Sequence, residues 1–254
     1  MEENKVLTVA LNIGKSMVKY GAEINRVEET IIRICKHFGF ERVEVFSMVS
    51  MISVTARNLS DNTAITQTRR IYNYTADFER LDELNSLSRA LCSGSVDLDE
   101  AAVRYKQINS SRKKFHPSVL IGSIIAAAAF AVFFGGSWKD CICAGVIAVP
   151  VYFVNTFITH RRMNRLFYTA LNSCLAGALA LTATHFGFAA SAESVMIGDI
   201  MLLIPGLMLI NSFREFFCGD IVSGLTRLLD SIMVALAIAC GFAIPILTFS
   251  HFGW

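Results

Sequence analysis

The chain has little net charge, and its second half has few charged residues of either sign. It holds 23 Lys+Arg and 21 Asp+Glu, which gives a formal net charge of +2. A nucleic-acid surface needs a marked excess of cations, so this balance argues against nucleic acid as a partner. Of the 44 charged residues, 32 lie in the first 116. We therefore expect a polar domain, residues 1–116, followed by an apolar domain, residues 117–254.

Cysteine is also sparse, and its spacing excludes two classes of protein. The seven cysteines are an odd number and lie mostly in apolar runs, unlike a disulfide framework. Cys141 and Cys143 form the one close pair, without the histidine or second cysteine pair that a metal site requires. We predict no metal and no cofactor. The N-terminus is acidic and soon interrupted by Lys15 and Lys19, which does not fit a signal peptide.

Long apolar stretches dominate the second half. A helix needs roughly 20 mostly apolar residues to cross the hydrocarbon core of a bilayer. Small residues in these stretches favour close helix packing inside lipid. The sequence predicts an α-helical membrane protein, with five transmembrane helices preceded by a small cytoplasmic α+β domain. The five stretches are 117–134, 141–158, 167–186, about 195–213 and about 228–249.

Basic residues fall on alternate connections between these stretches. Positive charge favours the cytoplasmic side, so the pattern predicts a cytoplasmic N-terminus and an outside C-terminus in a cell inner membrane. A soluble protein with five buried helices is the alternative, but it would make the alternation a coincidence. The basic residues are Arg112, Lys113 and Lys114 before the first stretch, Arg161, Arg162 and Arg165 after the second, and Arg214 and Arg227 after the fourth.

The first 116 residues show mixed periodicity. Apolar residues recur at helical spacing in four segments, 4–20, 23–38, 75–91 and 97–110. Between them, Val43–Ala56 and Thr63–Ile71 read as the strands of a β-hairpin around the turn at 58–62. Candidate catalytic side chains are His37, Glu28-Glu29 and Ser47. They lack a nucleophile-elbow pattern or metal-ligand spacing, so we predict that the protein is not an enzyme.

The fourth apolar stretch contains three residues that are unfavourable in a membrane helix. A carboxylate such as Asp199 costs roughly 2.5–3.5 kcal/mol within a bilayer on insertion scales. Pro205 removes a backbone hydrogen bond and Gly206 weakens a helix. Membrane proteins accept such a break where neighbouring groups or a water-filled cavity satisfy the backbone. We expect a half-helix N-terminus near the bilayer midplane, an arrangement that carriers of small anionic substrates use.

Four further polar residues could line the same path. Asp220 and Arg227 are seven residues apart and would share a face if their segment is helical. Asn155 and Asn172 place neutral polar groups in the second and third stretches. Together with Asp199, Pro205 and Gly206, they are the candidate substrate and ion path. A proline kink with interfacial charges and no substrate explains the same residues equally well.

Two motifs at opposite ends of the chain resemble the threonine/serine exporter family. The C-terminal motif has Pro-Gly, then Gly-Asp, Ser-Gly and Arg, which here are Pro205-Gly206, Gly219-Asp220, Ser223-Gly224 and Arg227. The N-terminal motif has Gly, Arg-Val-Glu and Gly, which here are Gly21, Arg26, Val27, Glu28 and Gly39. The motifs occur in the right order, and the resemblance covers nearly the whole chain.

The resemblance implies an inner-membrane exporter of small amino acids or carboxylates, driven by the proton gradient. Threonine and serine are substrates of some members and succinate of others. The chain resembles the N-terminal half of the split, YjjP-like form, which a second small integral membrane protein completes. Two other classes stay open on the sequence: a membrane-anchored cytoplasmic hydrolase, and a scaffold that transports nothing.

Overall fold

The chain folds into two compact units, which the computed structural model describes for residues 2–57, 64–72, 74–110, 116–158 and 164–251. The first unit contains residues 1–113 together with 210–227, and the second contains residues 114–209 together with 228–254. Residues 210–227, which lie in the apolar half of the sequence, thus belong to the first unit. Most of the described chain is helical.

The first unit contains the four predicted helices. They are α1 (Glu2–Lys19), α2 (Ile24–His37), α3 (Phe78–Cys92) and α4 (Leu98–Ser110). Their apolar faces bury side chains such as Leu7, Leu11, Ile31 and Leu84 in one core. The carboxylates of Asp77 and Asp97 accept backbone N–H groups in the first turns of α3 and α4, which fixes where these helices begin.

The β-sheet has three strands, and the expected single strand Val43–Ala56 is wrong. That stretch forms β1 (Arg42–Met48) and β2 (Met51–Arg57), joined by a turn at residues 49–50, and β3 (Ala64–Arg70) follows. The strands are antiparallel in the order β1-β2-β3. The turn lacks the glycine, asparagine or proline that normally marks one, so the apolar run conceals it. The turn predicted at 58–62 lies outside the described residues.

The second unit contains the apolar helices. They are α5 (Pro117–Phe133), α6 (Trp138–Ile158), α7 (Arg165–His185) and α8 (Ala192–Ile200), with the start of α9 (Gly206–Phe217) and most of α10 (Ile221–His251). Within the described ranges, three helices are long and apolar enough to cross a membrane: α6 over Trp138–Thr156, α7 and α10. Helix α5 is apolar but has 17 residues.

The fourth apolar stretch is divided, as its Pro-Gly predicts. Helix α8 ends at Ile200 and α9 begins at Gly206, so neither helix has the length of a span. Helix α10 begins at Ile221, before the expected start near residue 228, and Arg227 therefore lies within it. Of the basic residues used to predict orientation, 112–114 and 161–162 lie outside the described residues, whereas Arg165 is the first residue of α7.

Candidate functional site

Arg227 lies at the centre of a buried charge cluster in the first unit. Its side chain is 1% exposed, and its Nε lies 2.8 Å from Oε1 of Glu215, which is 2% exposed. One Nη donates a hydrogen bond of 3.0 Å to the carbonyl oxygen of Ala22. The guanidinium carbon also lies 5.0 Å from the centre of the Tyr74 ring. An ion pair, a backbone acceptor and an aromatic face thus hold one arginine.

A tight helical hairpin brings Glu215 to Arg227. Gly219 has a φ of +90° in the turn between α9 and α10, which favours glycine. The N–H of Asp220 donates to the carbonyl oxygen of Glu215 at 2.9 Å and closes the turn. Gly224 permits close packing, because a Cβ there would lie 2.9 Å from the carbonyl oxygen of Ser212. Gly219 and Gly224 of the C-terminal motif therefore allow the hairpin that pairs Glu215 with Arg227.

The N-terminal motif supplies the other side of this site. The amide of Asn211 donates to the carbonyl oxygen of Gly21 at 3.3 Å, and Arg214 forms an ion pair with Glu23. With the bond from Arg227 to Ala22, three side chains of the hairpin reach the segment that leads into α2. The N-terminal motif and the Gly219–Arg227 part of the C-terminal motif, nearly 200 residues apart in sequence, therefore meet in the first unit.

Two more carboxylates complete what we call the Arg227 cluster: Arg227, Glu215, Asp220, Glu28 and Tyr74. Glu28 on α2 accepts the N–H of Ser47 at 2.7 Å, and its charge is close enough to that of Asp220 to interact with it. Burial, opposed by the Ser47 N–H and reinforced by Asp220, raises the pKa of Glu28 above its ordinary value. Burial likewise raises the pKa of Glu215 to about 7, although Arg227 acts in the opposite direction.

Many polar atoms of the cluster have no aligned hydrogen-bond partner among the described residues. These include both carboxylate oxygens of Glu215, Oδ2 of Asp220 and Nη1 of Arg227. Glu215 and Arg227 are therefore close enough to form an ion pair, but the Nε–H bond of Arg227 does not point at the Glu215 oxygen. Buried polar groups are usually satisfied, so such a concentration marks a site with a role beyond packing.

Asp199 occupies a separate position in the second unit. It lies in α8, is 0% exposed, and neither carboxylate oxygen has a hydrogen-bond partner in the described ranges. The preceding residue, Gly198, brings α8 close to α5 and α6. A Cβ on Gly198 would lie 2.5 Å from the carbonyl oxygen of Ala127 and 3.2 Å from Cβ of Ala144. The acid is thus enclosed in a tightly packed group of small residues.

The interruption follows Asp199 directly. The N–H of Leu202 bonds to the carbonyl oxygen of Asp199 at 3.1 Å, and α9 then begins with the N–H of Met208 bonded to the carbonyl oxygen of Pro205 at 3.1 Å. Pro205 is buried, whereas a Cβ on Gly206 would meet no atom within 4 Å. The turn therefore depends on Pro205 more than on Gly206.

The two asparagines differ in their surroundings. Asn172 on α7 is 0% exposed, and its Nδ2 donates to the carbonyl oxygen of Val151 at 3.2 Å, while its Oδ1 has no hydrogen-bond partner among the described residues. Asn155 lies one turn beyond Val151 on α6 and is exposed. Of the predicted path residues, Asp220 and Arg227 lie in the first unit, and Asp199, Asn155, Asn172, Pro205 and Gly206 lie in the second.

Sequence reasoning missed Glu215 and Tyr74 as site residues. Asp220 precedes α10, so the helical spacing from Asp220 to Arg227 does not apply, and Arg227 pairs with Glu215 across the turn. The signal was available in Cys218-Gly219, which marks a helix end followed by a turn. Within the described residues, no group of three or more His, Cys, Asp or Glu side chains could hold a metal ion.

Comparison with known proteins assigns the chain to a family. The family described as "Putative threonine/serine exporter" matches residues 8–248. The chain belongs to the threonine/serine exporter family. Its two motifs, Gly21–Gly39 and Pro205–Arg227, both lie within the matched range. The family is one of transporters, so the protein is a membrane transporter rather than an enzyme, and the hydrolase alternative is set aside.

Individual relatives are distant but match nearly the whole chain. The "Probable succinate transporter subunit YjjP" of Klebsiella aerogenes is 22% identical over 100% of this chain and 97% of its own length. The "Probable threonine/serine exporter" of Mycobacterium tuberculosis is 22% identical over 97% of this chain and 46% of its own length. The "Threonine/serine exporter" of Corynebacterium glutamicum is 19% identical over 95% of this chain and 50% of its own length. No solved structure matches the chain.

Proposed function

We propose that the chain is one subunit of a secondary-active inner-membrane exporter for small amino acids or dicarboxylates. The observation that carries this proposal is Asp199, a buried carboxylate without a hydrogen-bond partner among the described residues, placed beside an interrupted helix. An acid in this position destabilises a helix that only anchors a protein. It is useful in a carrier, because it can bind and release a proton or the ammonium group of a substrate.

The membrane arrangement of the proposal has five spans. Helices α5, α6 and α7 each form one span, α8 and the part of α9 up to about residue 213 form the fourth, and α10 from about residue 228 to about residue 249 forms the fifth. The charges of the connections favour a cytoplasmic N-terminus and an outside C-terminus. In this arrangement the N-terminus of α9, with its partial positive charge, serves as an anion-binding end at Gly206.

Each polar residue then has a role along the path. Asp199 takes the proton or ammonium group, and Asn172 and Asn155 contribute neutral hydrogen-bonding groups. Pro205 and Gly206 set the break, and Asp220 and Arg227 act in the first unit. Arg227 is suited to a carboxylate ligand, because its Nη1 is buried without an aligned acceptor.

The partner and substrate follow from the relatives. The Klebsiella aerogenes protein is named as a transporter subunit and spans nearly the same length, whereas the Mycobacterium tuberculosis exporter is about twice as long. We infer that a second small integral membrane protein completes this carrier. Threonine, serine and succinate are the candidate substrates, and the proton gradient is the proposed driving force.

Efflux of labelled substrate tests the proposal. Cells preloaded with threonine, serine or succinate are compared when they express this chain alone, a candidate second small integral membrane protein alone, or both. Efflux that requires both proteins supports a two-part exporter and identifies the substrate. If no substrate leaves the cells while both proteins are present in the membrane, the assignment of substrate classes is wrong.

Asp199→Asn tests the site within the same assay. We expect it to reduce efflux at least tenfold, because the amide retains the shape of the side chain but cannot take up a proton. Glu193→Gln is the matched control, since Glu193 is an exposed acid two turns earlier on α8. Full efflux by Asp199→Asn would remove Asp199 from the path, and loss of efflux by Glu193→Gln would indicate a general effect of charge in α8.

A further inference from the structure

The α9–α10 hairpin over residues 210–227 buries polar side chains and exposes apolar ones. Every buried residue in this range is polar or a glycine: Ser212, Glu215, Ser223, Gly224 and Arg227. Six large apolar side chains are exposed instead, and Phe217 is the most exposed of them at 90%. We call these six the hairpin outer face: Ile210, Phe213, Phe217, Ile221, Val222 and Leu225.

Helix α2, in the same unit, shows the opposite pattern. It buries apolar side chains such as Val27 and Ile31, and its exposed residues include the charged Arg26, Glu29 and Arg33. That is the usual arrangement of a helix that has water on its outer side. The reversed arrangement of the hairpin indicates an apolar medium around it, because a large exposed apolar patch marks a contact with membrane or protein.

The hairpin outer face has no charged rim. Within residues 216–229, all of which the structure describes, no exposed residue carries a charge; Asp220 is half-buried and Arg227 is buried. Arg214, which precedes this range, is paired with Glu23. A surface that binds a protein partner usually has a polar rim around its apolar centre. An uninterrupted apolar surface favours lipid.

The outer face also continues into a helix that can cross a membrane. Helix α10 has 31 residues and is, as a whole, a candidate span, so it extends roughly 46 Å and exceeds a hydrocarbon core of about 30 Å. If residues 228–249 cross the core, residues 221–227 lie in the interfacial region. The exposed Asp230, at the end of that span, suits such a position. Exposed apolar residues recur along α10 at helical spacing, at Val222, Leu225, Leu229, Ile232 and Leu236.

We propose that the hairpin outer face inserts into the interfacial region of the bilayer, so that the first unit has a lipid contact of its own. Its occupant is the boundary between lipid headgroups and acyl chains, into which the apolar face of an interfacial helix sinks about 5–10 Å. The polar side of the hairpin stays within the protein, where Arg227 binds the carbonyl oxygen of Ala22 and pairs with Glu215. The inference rests on α10 crossing the membrane as proposed above, and it does not depend on the substrate.

Tryptophan fluorescence in lipid nanodiscs tests this contact in the full chain. The two native tryptophans, Trp138 and Trp254, are replaced by phenylalanine, and Phe217→Trp or Val222→Trp then supplies the emission. Phosphatidylcholine brominated high on its acyl chains should lower the emission of both variants at least about twofold, because the outer face lies at that depth. Bromine low on the chains should have a smaller effect, and acrylamide in the water should quench little.

Two further positions serve as controls. Tyr72→Trp, which is 78% exposed in the first unit, should respond to acrylamide and not to brominated lipid. Leu236→Trp, which is 53% exposed within α10, should respond to brominated lipid.

The outcomes separate this inference from the proposed function. Quenching of Phe217→Trp and Val222→Trp by acrylamide alone would place the outer face in water and overturn the proposal. Protection from both quenchers would also overturn it, since a second protein or a second copy of the chain would then cover the face. If Leu236→Trp responds to brominated lipid while the two hairpin positions do not, this inference alone fails. If Leu236→Trp does not respond either, α10 does not cross the membrane, and the proposed arrangement of spans fails as well.

Discussion

Asp140 shows how a single carboxylate can fix a connection between helices. It lies in the first turn of α6, is 1% exposed, and accepts hydrogen bonds from the N–H and hydroxyl of Ser137 at 2.8 and 2.7 Å. It also accepts the N–H groups of Ala190 and Ser191 at 2.7 and 2.9 Å. Asp140 thus bonds the connection between α7 and α8 to the beginning of α6, and it accepts hydrogen bonds from four donors.

Asp140→Ala should therefore lower the free energy of unfolding by on the order of 1–3 kcal/mol, because four part-buried donors lose a charged acceptor. Asp140→Asn should have a smaller effect, since one carbonyl oxygen remains. The measurement is thermal melting in detergent micelles, with Glu193→Ala on the exposed face of α8 as the control. An unchanged melting temperature for Asp140→Ala would show that water replaces the carboxylate.

The sequence could indicate a role for individual residues but not their partners. Asp199 and Arg227 stand out because they are charged residues in or beside apolar helices. Glu215 looks like an ordinary charge near a helix end, and only the hairpin turn at Gly219 brings it to Arg227. Tyr74 is more than 150 residues from Arg227, so no local pattern could reveal their contact.

Among the elements, glycine sets how closely the apolar helices pack. Gly198 allows α8 to approach the backbone of α5 closely. Gly241 likewise allows α10 to approach the backbone of α7. A Cβ on Gly241 would be 2.3 Å from the carbonyl oxygen of Ala170. Inside a membrane, small residues that allow backbones to approach replace the hydrophobic effect as the source of helix association.

Gly198→Ala should separate α8 from α5 and destabilise the protein by about 1–3 kcal/mol, because the new methyl group would meet a backbone oxygen that cannot move alone. Gly122→Ala on α5 is the matched control, since its Cβ would meet no atom within 4 Å. Melting temperatures of the two variants in the same detergent give the comparison. Equal values would mean that α8 shifts to admit the methyl group at no cost.

Helices were predictable from local periodicity, whereas turns within apolar runs were not. The four helices of the first unit and the interruption at Pro205 follow from spacing, capping residues and proline. The turn at residues 49–50 lacks glycine, asparagine and proline, so β1 and β2 looked like one strand. The start of α10 was placed late because a charge at Arg227 suggested a connection, yet its buried ion pair allows the helix to include it.

At the scale of the whole molecule, the first unit is discontinuous in sequence. The chain leaves it after residue 113, returns at 210 and leaves again after 227. Residues 210–227 supply Asn211 and Arg227, which bind the carbonyl oxygens of Gly21 and Ala22, and Glu215, which pairs with Arg227. A cut at residue 116, where the charge pattern changes, would therefore remove contacts that the first unit uses.

An isolated fragment of residues 1–116 should consequently be less stable than one that regains residues 210–227. We expect a fusion of the two through a flexible Gly/Ser linker to melt cooperatively at a higher temperature, because the linker supplies the hairpin at a high effective concentration. The same fusion with Arg227→Ala is the control and should lose most of the gain, since it lacks the ion pair, the bond to Ala22 and the ring contact with Tyr74. Circular dichroism melting distinguishes the three proteins. If residues 1–116 alone melt as cooperatively and at the same temperature as the fusion, the hairpin is dispensable for this unit, and its buried charges serve a purpose other than holding it in place.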